Sequence, residues 1–299
     1  EELDRAAQLD DLDAGELSAE SQELIETLSS QARETRNALD TELPGENLLD
    51  SPAGDLPDTG LPEPDRPSNE AEAYRLQASV QKQLSSGGYG EPVGRKIGCT
   101  TTVMQEYLNI PNPCAGLVYA PTVRERDGEF DFSSFLHVGV ECEIVVRLGG
   151  DLPDSDVPYT RSTVAPAVEA VMCGIEIVDD RWIDYTSMDV ATLIADDFFG
   201  AGCVLGEPIT AWRELDLASL NGSMSINGDE VGSGVGGDIM GHPLEALAWL
   251  ANTAALHDIP LRAGEFVFLG SIVETKWLER GDLVEIVIDG LGVASARFV

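Results

Sequence analysis

Residues 138–148 read VGVECEIVVRL, a run of mostly β-branched residues that contains two glutamates. Successive side chains of a strand point to opposite faces, so Glu141 and Glu143 share one face. The other face carries the apolar residues Val140, Cys142 and Ile144, which we expect to lie in the core. Two like charges side by side on an apolar strand are costly to bury. The pair therefore indicates either a solvated strand face or part of a cation site.

A third isolated acid, Glu176, lies in the run CGIEIVDDR, residues 173–181, again with apolar neighbours on both sides. Three carboxylates on two strands are typical of a hard-cation site that leaves positions open for water and substrate oxygens. Zinc is disfavoured, because neither histidine nor cysteine occurs at ligand spacing. The spacing of the acids alone leaves the solvated alternative open.

Two further side chains could serve such a site. Lys96 lies between glycines in GRKIGCT, residues 94–100, and the chain has only two other lysines. A lysine at this place suits an anion or a metal-bound enolate, and the alternative is a salt bridge at the surface. His137 has the strand parity of the two glutamates and is a candidate acid or base, although a structural role at the strand start is the alternative.

The composition bounds the class of protein. The 299 residues carry a formal net charge of −36, with 54 acids against 18 lysines and arginines. The acids are spread along the chain, which favours adaptation to high salt over one acidic patch for a basic partner. We therefore expect a halophilic source. Nucleic-acid binding is disfavoured, since no basic stripe is present to neutralise phosphates.

Cysteine usage and hydropathy suggest the compartment. The five cysteines are scattered without a Cys-x-x-Cys pair, and no signal peptide is recognisable. We expect reduced, mostly buried thiols and a cytoplasmic location. No window approaches the 18 apolar residues of a membrane span, so none is expected.

The chain divides into two parts by composition. Residues 1–69 combine an acidic segment of helical periodicity with a proline-rich linker or lid, and residues 70–299 form the expected catalytic domain. The second part begins with a helix at 70–86 and continues with short strands, which predicts an α+β fold. Three more helices are predicted near 101–108, 163–172 and 241–257, and the glycine-rich run at 232–237 is predicted to be a flexible loop. The predicted strands are 93–98, 116–119, 138–148, 173–179, 201–205, 222–226, 266–270, 283–288 and 292–298.

Six motifs over residues 70–299 occur in an order that resembles a known family. They are GRKIGCT with Met104-Gln105, VECEI at 140–144, IEIVDDR at 175–181, GCVLG at 202–206, GHPLEALAWLAN at 241–252, and Gly270-Ser271. Together they are similar to the 2-keto-4-pentenoate hydratase and 4-oxalocrotonate decarboxylase family of the fumarylacetoacetate hydrolase superfamily. The resemblance implies the mixed β-roll of that superfamily.

The resemblance also implies a site. Glu141, Glu143 and Glu176 match the acids that hold Mg²⁺ or Mn²⁺, and Lys96 matches the active-site lysine. The substrate would be a 2-oxo acid or its 2-hydroxydienoate enol, whose enolate the metal stabilises. A hydratase would add water to give a 4-hydroxy-2-oxo acid.

Four residues are candidates for substrate contact. Arg181 either contacts substrate or pairs with Asp179 or Asp180 to hold the end of the strand. The segments 119–121 and 196–201 depart from the family pattern and are expected to shape the substrate pocket. The candidates are Arg181, Phe198, Phe199 and Ser271.

Several alternatives stay open at this point. The same scaffold would suit a 2-oxo-3-enedioate decarboxylase, a 2-keto-3-deoxy sugar-acid dehydratase or an acylpyruvate-type hydrolase. The hydrolase is disfavoured because no histidine precedes His137. A rival of another class is a non-catalytic subunit. We expect a homo-oligomer, and association with a decarboxylase or hydratase partner is a further hypothesis.

Overall fold

The computed structural model describes residues 66–182, 184–257 and 259–299. The helix expected in residues 1–40 and most of the linker lie outside the described residues. The rest is an α+β domain, as predicted. Its helices are α1 Glu70–Leu84, α2 Thr102–Leu108, α3 Arg161–Val164, α4 Val190–Ala195 and α5 Pro243–Leu256.

Twelve strands form the described part of the two sheets. They are β1 Pro92–Gly98, β2 Cys114–Tyr119, β3 Val123–Glu125, β4 Asp127–Phe130, β5 Val138–Leu148, β6 Val168–Asp179, β7 Gly200–Leu205, β8 Asn221–Ile226, β9 Asp229–Val235, β10 Phe266–Trp277, β11 Leu283–Ile288 and β12 Gly292–Phe298. The larger sheet has the order β2-β1-β10-β5-β6-β7-β3, and the smaller has the order β4-β12-β11-β8-β9. Both sheets are mixed, because β1 runs parallel to β10, β3 to β7, and β4 to β12.

The main core lies between the sheets and under α5. Val140, Cys142 and Ile144 of β5 are fully buried there, as the alternation of the strand predicts. Buried side chains of β11 and β12 belong to the same apolar cluster. The two glutamates of β5 therefore lie on the opposite face of the strand.

The larger sheet is rolled. β1 and β6 are separated by two strands in the sheet order, yet Lys96 of β1 contacts Glu176 of β6. In addition, the amide of Leu117 in β2 donates to Asp197, which lies just before β7. Three flat strand spacings would place β1 and β6 about 14 Å apart. Curling of the sheet therefore brings the two halves of its polar face together.

Two predictions of secondary structure are wrong. The helix expected at 163–172 is limited to α3 and a short 3₁₀ turn at 165–167, and β6 begins at Val168. The strand is buried on both faces, so its continuous apolar run lacks the period-two signal of a half-buried strand. The glycine-rich run at 232–237 is mainly β9 instead of a loop. A side chain at Gly234 would clash with the carbonyl of Ile272 in β10, so glycine lets the two strands approach.

The cysteine side chains are buried, as predicted. All five cysteines are free. None of the described helices is long and apolar enough to cross a membrane.

Candidate metal centre

Three carboxylates meet on the polar face of the rolled sheet. Glu141 of β5 lies directly opposite Glu176 of β6 in the antiparallel ladder, and Glu143 follows two residues later on the same face. Each can offer an oxygen such that all three oxygens lie within 4.8 Å of one another. Glu143 is fully buried and Glu176 is 3% exposed. Among the described residues this is the one cluster that could hold a metal ion.

The site is strained electrostatically when all three acids are ionised. Burial, and then the charge of Glu176, raises the pKa of Glu141 to about 7. The same two causes raise the pKa of Glu143 well above its ordinary value. The Glu143 side chain accepts one hydrogen bond, from the amide of Gly270 to Oε2, at 2.8 Å. Its buried Oε1 has no hydrogen-bond partner among the residues that the structure describes.

These residues fit a hard divalent cation. Carboxylate oxygens are the ligands that Mg²⁺ and Mn²⁺ prefer. Lys96 supplies one positive charge to the cluster, so two of the three negative charges remain uncompensated. A divalent ion would neutralise them and give Glu143 Oε1 its missing partner. Glu141, Glu143 and Glu176 are therefore the residues that would hold the metal.

Lys96 is the cation of the site. Its side chain is buried, and its Nζ donates to Glu176 Oε1 at 2.6 Å and to the carbonyl of Phe198. Burial is the largest single effect and disfavours the ammonium form. The charge of Glu176, its hydrogen bond, and the charges of Glu141 and Asp197 together outweigh burial, so the pKa of Lys96 is raised. An ammonium group has three N–H bonds, so one remains beyond these two acceptors. The alternative of a surface salt bridge is excluded by this burial.

Glycine makes room for the Lys96 side chain. Gly116 of β2 is its partner in the ladder, and a Cβ there would lie 2.8 Å from Lys96 Cε. A Cβ at Gly200 would lie 3.5 Å from the same atom and 3.0 Å from Asp197 Oδ2. The lysine thus passes along a groove between β2 and the start of β7.

The turn that precedes β7 carries both predicted phenylalanines. Asp197, Phe198 and Phe199 all have left-handed backbone conformations, with φ of 62°, 47° and 64°. Such conformations are unfavourable for residues other than glycine. The turn is held by the bond from Lys96 to the Phe198 carbonyl and by the bond from Leu117 to Asp197. The phenylalanine rings stack edge to face at 5.4 Å.

The Arg181 side chain is paired with other groups of the protein. Its Nη2 lies 3.0 Å from Asp196 Oδ2, and it also donates to the carbonyls of Asp196 and Gly200. The pairing is structural, but its partner is Asp196 and not Asp179 or Asp180, as the sequence suggested. It ties the end of β6 to the turn before β7. A direct contact of Arg181 with substrate stays a prediction.

His137 lies at the outer end of the polar face. Its side chain is 53% exposed, its Nδ1 lies 3.5 Å from Asp180 Oδ2, and its ring stacks on Trp277 at 4.2 Å. It precedes Glu141 by four residues, which is about 13 Å along a strand. The structure therefore does not bring His137 together with the three glutamates, and its predicted catalytic role is untested.

Ser271 supports the strand next to Glu143. It lies opposite Glu143 in the ladder, and its hydroxyl donates to the carbonyl of Val273 at 2.6 Å. The preceding Gly270 has φ of 119°, and a side chain there would clash with Thr100. The Gly270-Ser271 pair thus forms the bulge that aims an amide at Glu143. A contact of Ser271 with substrate stays a prediction.

Two residues of the site were missed in the sequence. Thr275 of β10 donates its hydroxyl to Glu141 Oε1, and Asp197 is a partly buried acid beside Lys96. Burial raises the pKa of Asp197, the charge of Lys96 opposes this shift, and the resulting pKa is about 7. Period-two alternation could not place Thr275, because β10 has register shifts between Phe268 and Lys276. Asp197 belongs to a turn whose shape only tertiary contacts fix.

Thr275→Val keeps the shape of the side chain and removes its hydroxyl. We expect the affinity for Mg²⁺ or Mn²⁺ to fall by about tenfold, because hydrogen bonds to ligands typically contribute 10–100-fold. Isothermal titration calorimetry of the two proteins measures this change. Thr275→Ser retains the hydroxyl and should bind metal as the wild type does. Equal affinity of the valine variant would contradict a role of Thr275 in orienting Glu141.

The family of the chain can be stated from comparison with known proteins. Residues 119–299 match the family model of the fumarylacetoacetate (FAA) hydrolase C-terminal domain. The chain belongs to the fumarylacetoacetate hydrolase family. The match contains β5 and β6 with all three glutamates, whereas Lys96 lies before it.

Similar proteins narrow the group within the family. The chain is 34% identical to a 2-hydroxyhexa-2,4-dienoate hydratase of Comamonas testosteroni, over 76% of this chain and 85% of that protein. It is 35% identical to a 2-keto-4-pentenoate hydratase of Paraburkholderia xenovorans, over 77% and 84%. The solved structure of 4-oxalocrotonate decarboxylase from Pseudomonas putida G7, complexed with magnesium and adipate, has a TM-score of 0.74 at 26% identity. It covers 92% of this chain and 98% of that one.

These findings confirm the predicted resemblance and the α+β fold of the superfamily. They also confirm that the chain is an enzyme of the group of metal-dependent hydratases and decarboxylases. The rival hypothesis of a non-catalytic subunit receives no support from them.

Proposed function

We propose that the chain is a divalent-metal-dependent hydratase that adds water to a 2-hydroxy-2,4-dienoate and releases a 4-hydroxy-2-oxo acid. The observation that carries the proposal is the cluster of three glutamates, two of them buried, with Lys96 paired to one of the buried two. The hydratases that the chain resembles at 34–35% identity support the choice of reaction. We propose Mg²⁺ or Mn²⁺ as the metal.

Glu141, Glu143 and Glu176 would hold the cation through one oxygen each. A bound divalent metal would supply Lewis-acid stabilisation of negative charge on the carboxylate and 2-oxygen of the substrate. The hydrogen bonds from Thr275 and Gly270 orient Glu141 and Glu143. The protein thus fixes the carboxylates before any ion arrives, which limits the cost of ordering them on binding.

Lys96 would contact the substrate. Two of its N–H bonds are directed to Glu176 and to the Phe198 carbonyl, and the third is available for a substrate oxygen. In a hydratase the enol gives up its hydroxyl proton while a carbon of the chain gains one, and water then adds to the resulting enone. A buried ammonium group next to the enol can donate a hydrogen bond to the oxygen where negative charge develops.

The second candidate is a decarboxylase of 2-oxo-3-enedioates. It is favoured by the likeness to the 4-oxalocrotonate decarboxylase structure, which spans 98% of that chain. Decarboxylation needs the same stabilisation of an enolate but releases CO₂ and adds no water. The dehydratase and the hydrolase have no comparable observation in their favour.

Purified protein should be incubated with Mg²⁺ or Mn²⁺ and 2-hydroxypenta-2,4-dienoate in molar salt, since the charge of the chain predicts a need for salt. We expect the dienol absorbance to fall and 4-hydroxy-2-oxopentanoate to accumulate. A parallel assay follows CO₂ release from 2-oxohex-3-enedioate.

The control is the double variant Glu141→Ala/Glu143→Ala, which should lose activity together with metal binding by calorimetry. CO₂ release without hydration would favour the second candidate. Absence of metal binding by the wild type would contradict both. Gel filtration in the same buffer tests the predicted homo-oligomer, whose size and partners stay predictions.

A further inference from the structure

The turn that accepts a hydrogen bond from Lys96 also carries a carboxylate with one oxygen to spare. Asp197 directly precedes Phe198, whose carbonyl accepts from Lys96 Nζ. The Oδ1 of Asp197 accepts from the amide of Leu117 at 2.8 Å. Within the described part of the chain no group donates to its Oδ2. The backbone of β2 therefore fixes one oxygen of this carboxylate and leaves the other available.

The available oxygen lies in the same groove as the Lys96 side chain. Asp197 Oδ2 and Lys96 Cε are 3.0 and 3.5 Å from the position that a Cβ of Gly200 would take. The Lys96 ammonium is bonded to Glu176 and to the turn, and Asp197 feels its charge without being its ion-pair partner. Asp197 is also partly exposed. A substrate oxygen on the third N–H of Lys96 would therefore lie close to Asp197.

The reaction proposed above needs a group that accepts a proton. The water that adds to the enone must lose a proton, and the neighbouring carbon must gain one. The three glutamates would hold the metal, and an ammonium group such as Lys96 has no lone pair with which to accept. Asp196, the other acid of the turn, is paired with Arg181. Of the two acids in this turn, Asp197 is therefore the one that can take up a proton.

The surroundings of Asp197 suit the uptake and return of a proton. Burial raises its pKa, whereas the charge of Lys96, the amide of Leu117 and the charge of Arg181 lower it, and the resulting pKa is about 7. The charge of Asp196 adds a smaller upward shift. A group whose pKa lies near neutral pH is present in both protonation states and can act as base and then as acid.

We infer that Asp197 is the proton-transfer residue of the hydration step. The oxygen of water forms a bond to C4 of the enone, and the proton of that water moves to Asp197 Oδ2. The electron pair of the C3–C4 double bond passes towards the 2-oxygen to give an enolate, and Asp197 then returns the proton to C3. The carboxylate is regenerated, and one water has been added to the substrate. The inference rests on the proposed function, of which it names a catalytic residue.

Asp197→Asn tests this role with little change of shape. Asparagine keeps an oxygen for the Leu117 amide and tolerates the left-handed backbone of residue 197, but it cannot take up the proton. We expect kcat for 2-hydroxypenta-2,4-dienoate to fall by about 10²–10⁴-fold, while calorimetry finds the metal affinity of the wild type. The matched control is Asp229→Asn, at an exposed residue of β9, which should keep the wild-type kcat. A wild-type kcat in Asp197→Asn would overturn the inference.

A second experiment separates proton transfer from support of Lys96. 2-Oxopentanoate lacks the double bond, so it can lose and regain a proton at C3 without adding water. In D₂O with saturating metal, the wild type should replace the C3 protons by deuterium, which NMR follows. Asp197→Asn should bind the acid as tightly in calorimetry but exchange it about 10²-fold more slowly or less. Binding that weakens in proportion to the lost exchange would show that Asp197 only supports Lys96, and would overturn the inference.

The two experiments together distinguish this inference from the proposed function. Exchange by the wild type that Asp197→Asn lacks, without hydration of the dienoate by the wild type, would overturn the proposed function and keep the role of Asp197. Hydration by both proteins at one rate would do the reverse. Neither exchange nor hydration by the wild type would overturn both.

Discussion

Replacing Glu143 by glutamine should stabilise the metal-free protein while it destroys the metal site. Glutamine keeps an oxygen that can accept from the Gly270 amide, and it removes the fully buried charge of Glu143 from the cluster of three acids. We expect the free energy of unfolding of the metal-free variant to rise by about 2 kcal/mol at pH 8, because an uncompensated buried charge is lost. Chemical denaturation in chelator measures this change.

The gain should depend on pH in a defined direction. Burial, and then the charge of Glu176, raises the pKa of Glu143 above its unfolded value, so the folded chain binds more protons than the unfolded chain above about pH 4.5. The stability of the metal-free wild type therefore falls as pH rises through that range, and Glu141 adds to the same slope. The variant lacks the contribution of residue 143. The difference in the free energy of unfolding between the metal-free variant and the metal-free wild type should be small near pH 5 and large at pH 8.

A bound metal ion should make the wild type more stable than the Glu143→Gln variant. A saturating divalent ion stabilises the wild type by binding only its folded state, whereas the variant lacks one ligand and gains little. Activity of the variant should fall by about two orders of magnitude or more, beyond the 10–100-fold typical of groups that only support ligands. Glu207→Gln, at a 67% exposed side chain, is the matched control with almost no effect. A variant less stable than the wild type in chelator would contradict the electrostatic account of the site.

Lys96→Met should have the opposite effect on the metal-free protein. The Lys96 and Glu176 side chains are 3% and 4% exposed, and the loss of the lysine leaves Glu176 buried without its cation. Breaking a buried pair in this way typically costs about 3–5 kcal/mol. Saturating metal should restore part of that loss, because the ion lies against the same carboxylate.

Saturating metal should restore part of the stability of Lys96→Met but not its activity. If Lys96 contacts the reacting oxygens, kcat/KM of the methionine variant falls by about 10²–10⁴-fold even when metal is bound. Lys276→Met is the control. Within the described part of the chain this partly exposed lysine pairs only with the exposed Glu274, so the variant should change stability by less than about 1 kcal/mol. Full activity of metal-loaded Lys96→Met would show that the lysine only supports Glu176.

Much of the fold follows from local patterns. Alternation in residues 138–148 gives a strand with an apolar face and an acidic face, and the structure has both. Pro243 at the start of an apolar run predicts α5, which begins there. The pattern fails where a strand is buried on both faces, as in β6, and where glycines serve close packing, as in β9. In both cases tertiary contacts, and not the local period, determine the conformation.

The sequence by itself determined that Glu141 and Glu143 share a face, because the period of a strand is two. It also singled out Glu176 and Lys96 by their apolar surroundings. Only the tertiary structure decided that these four groups meet. Lys96 reaches Glu176 because the sheet rolls, and the curl of a sheet depends on many distant strand pairings. The register shifts of β10 place Thr275 on Glu141, and the bond from the amide of Asp179 to the carbonyl of Phe199 holds the turn before β7 at the end of β6.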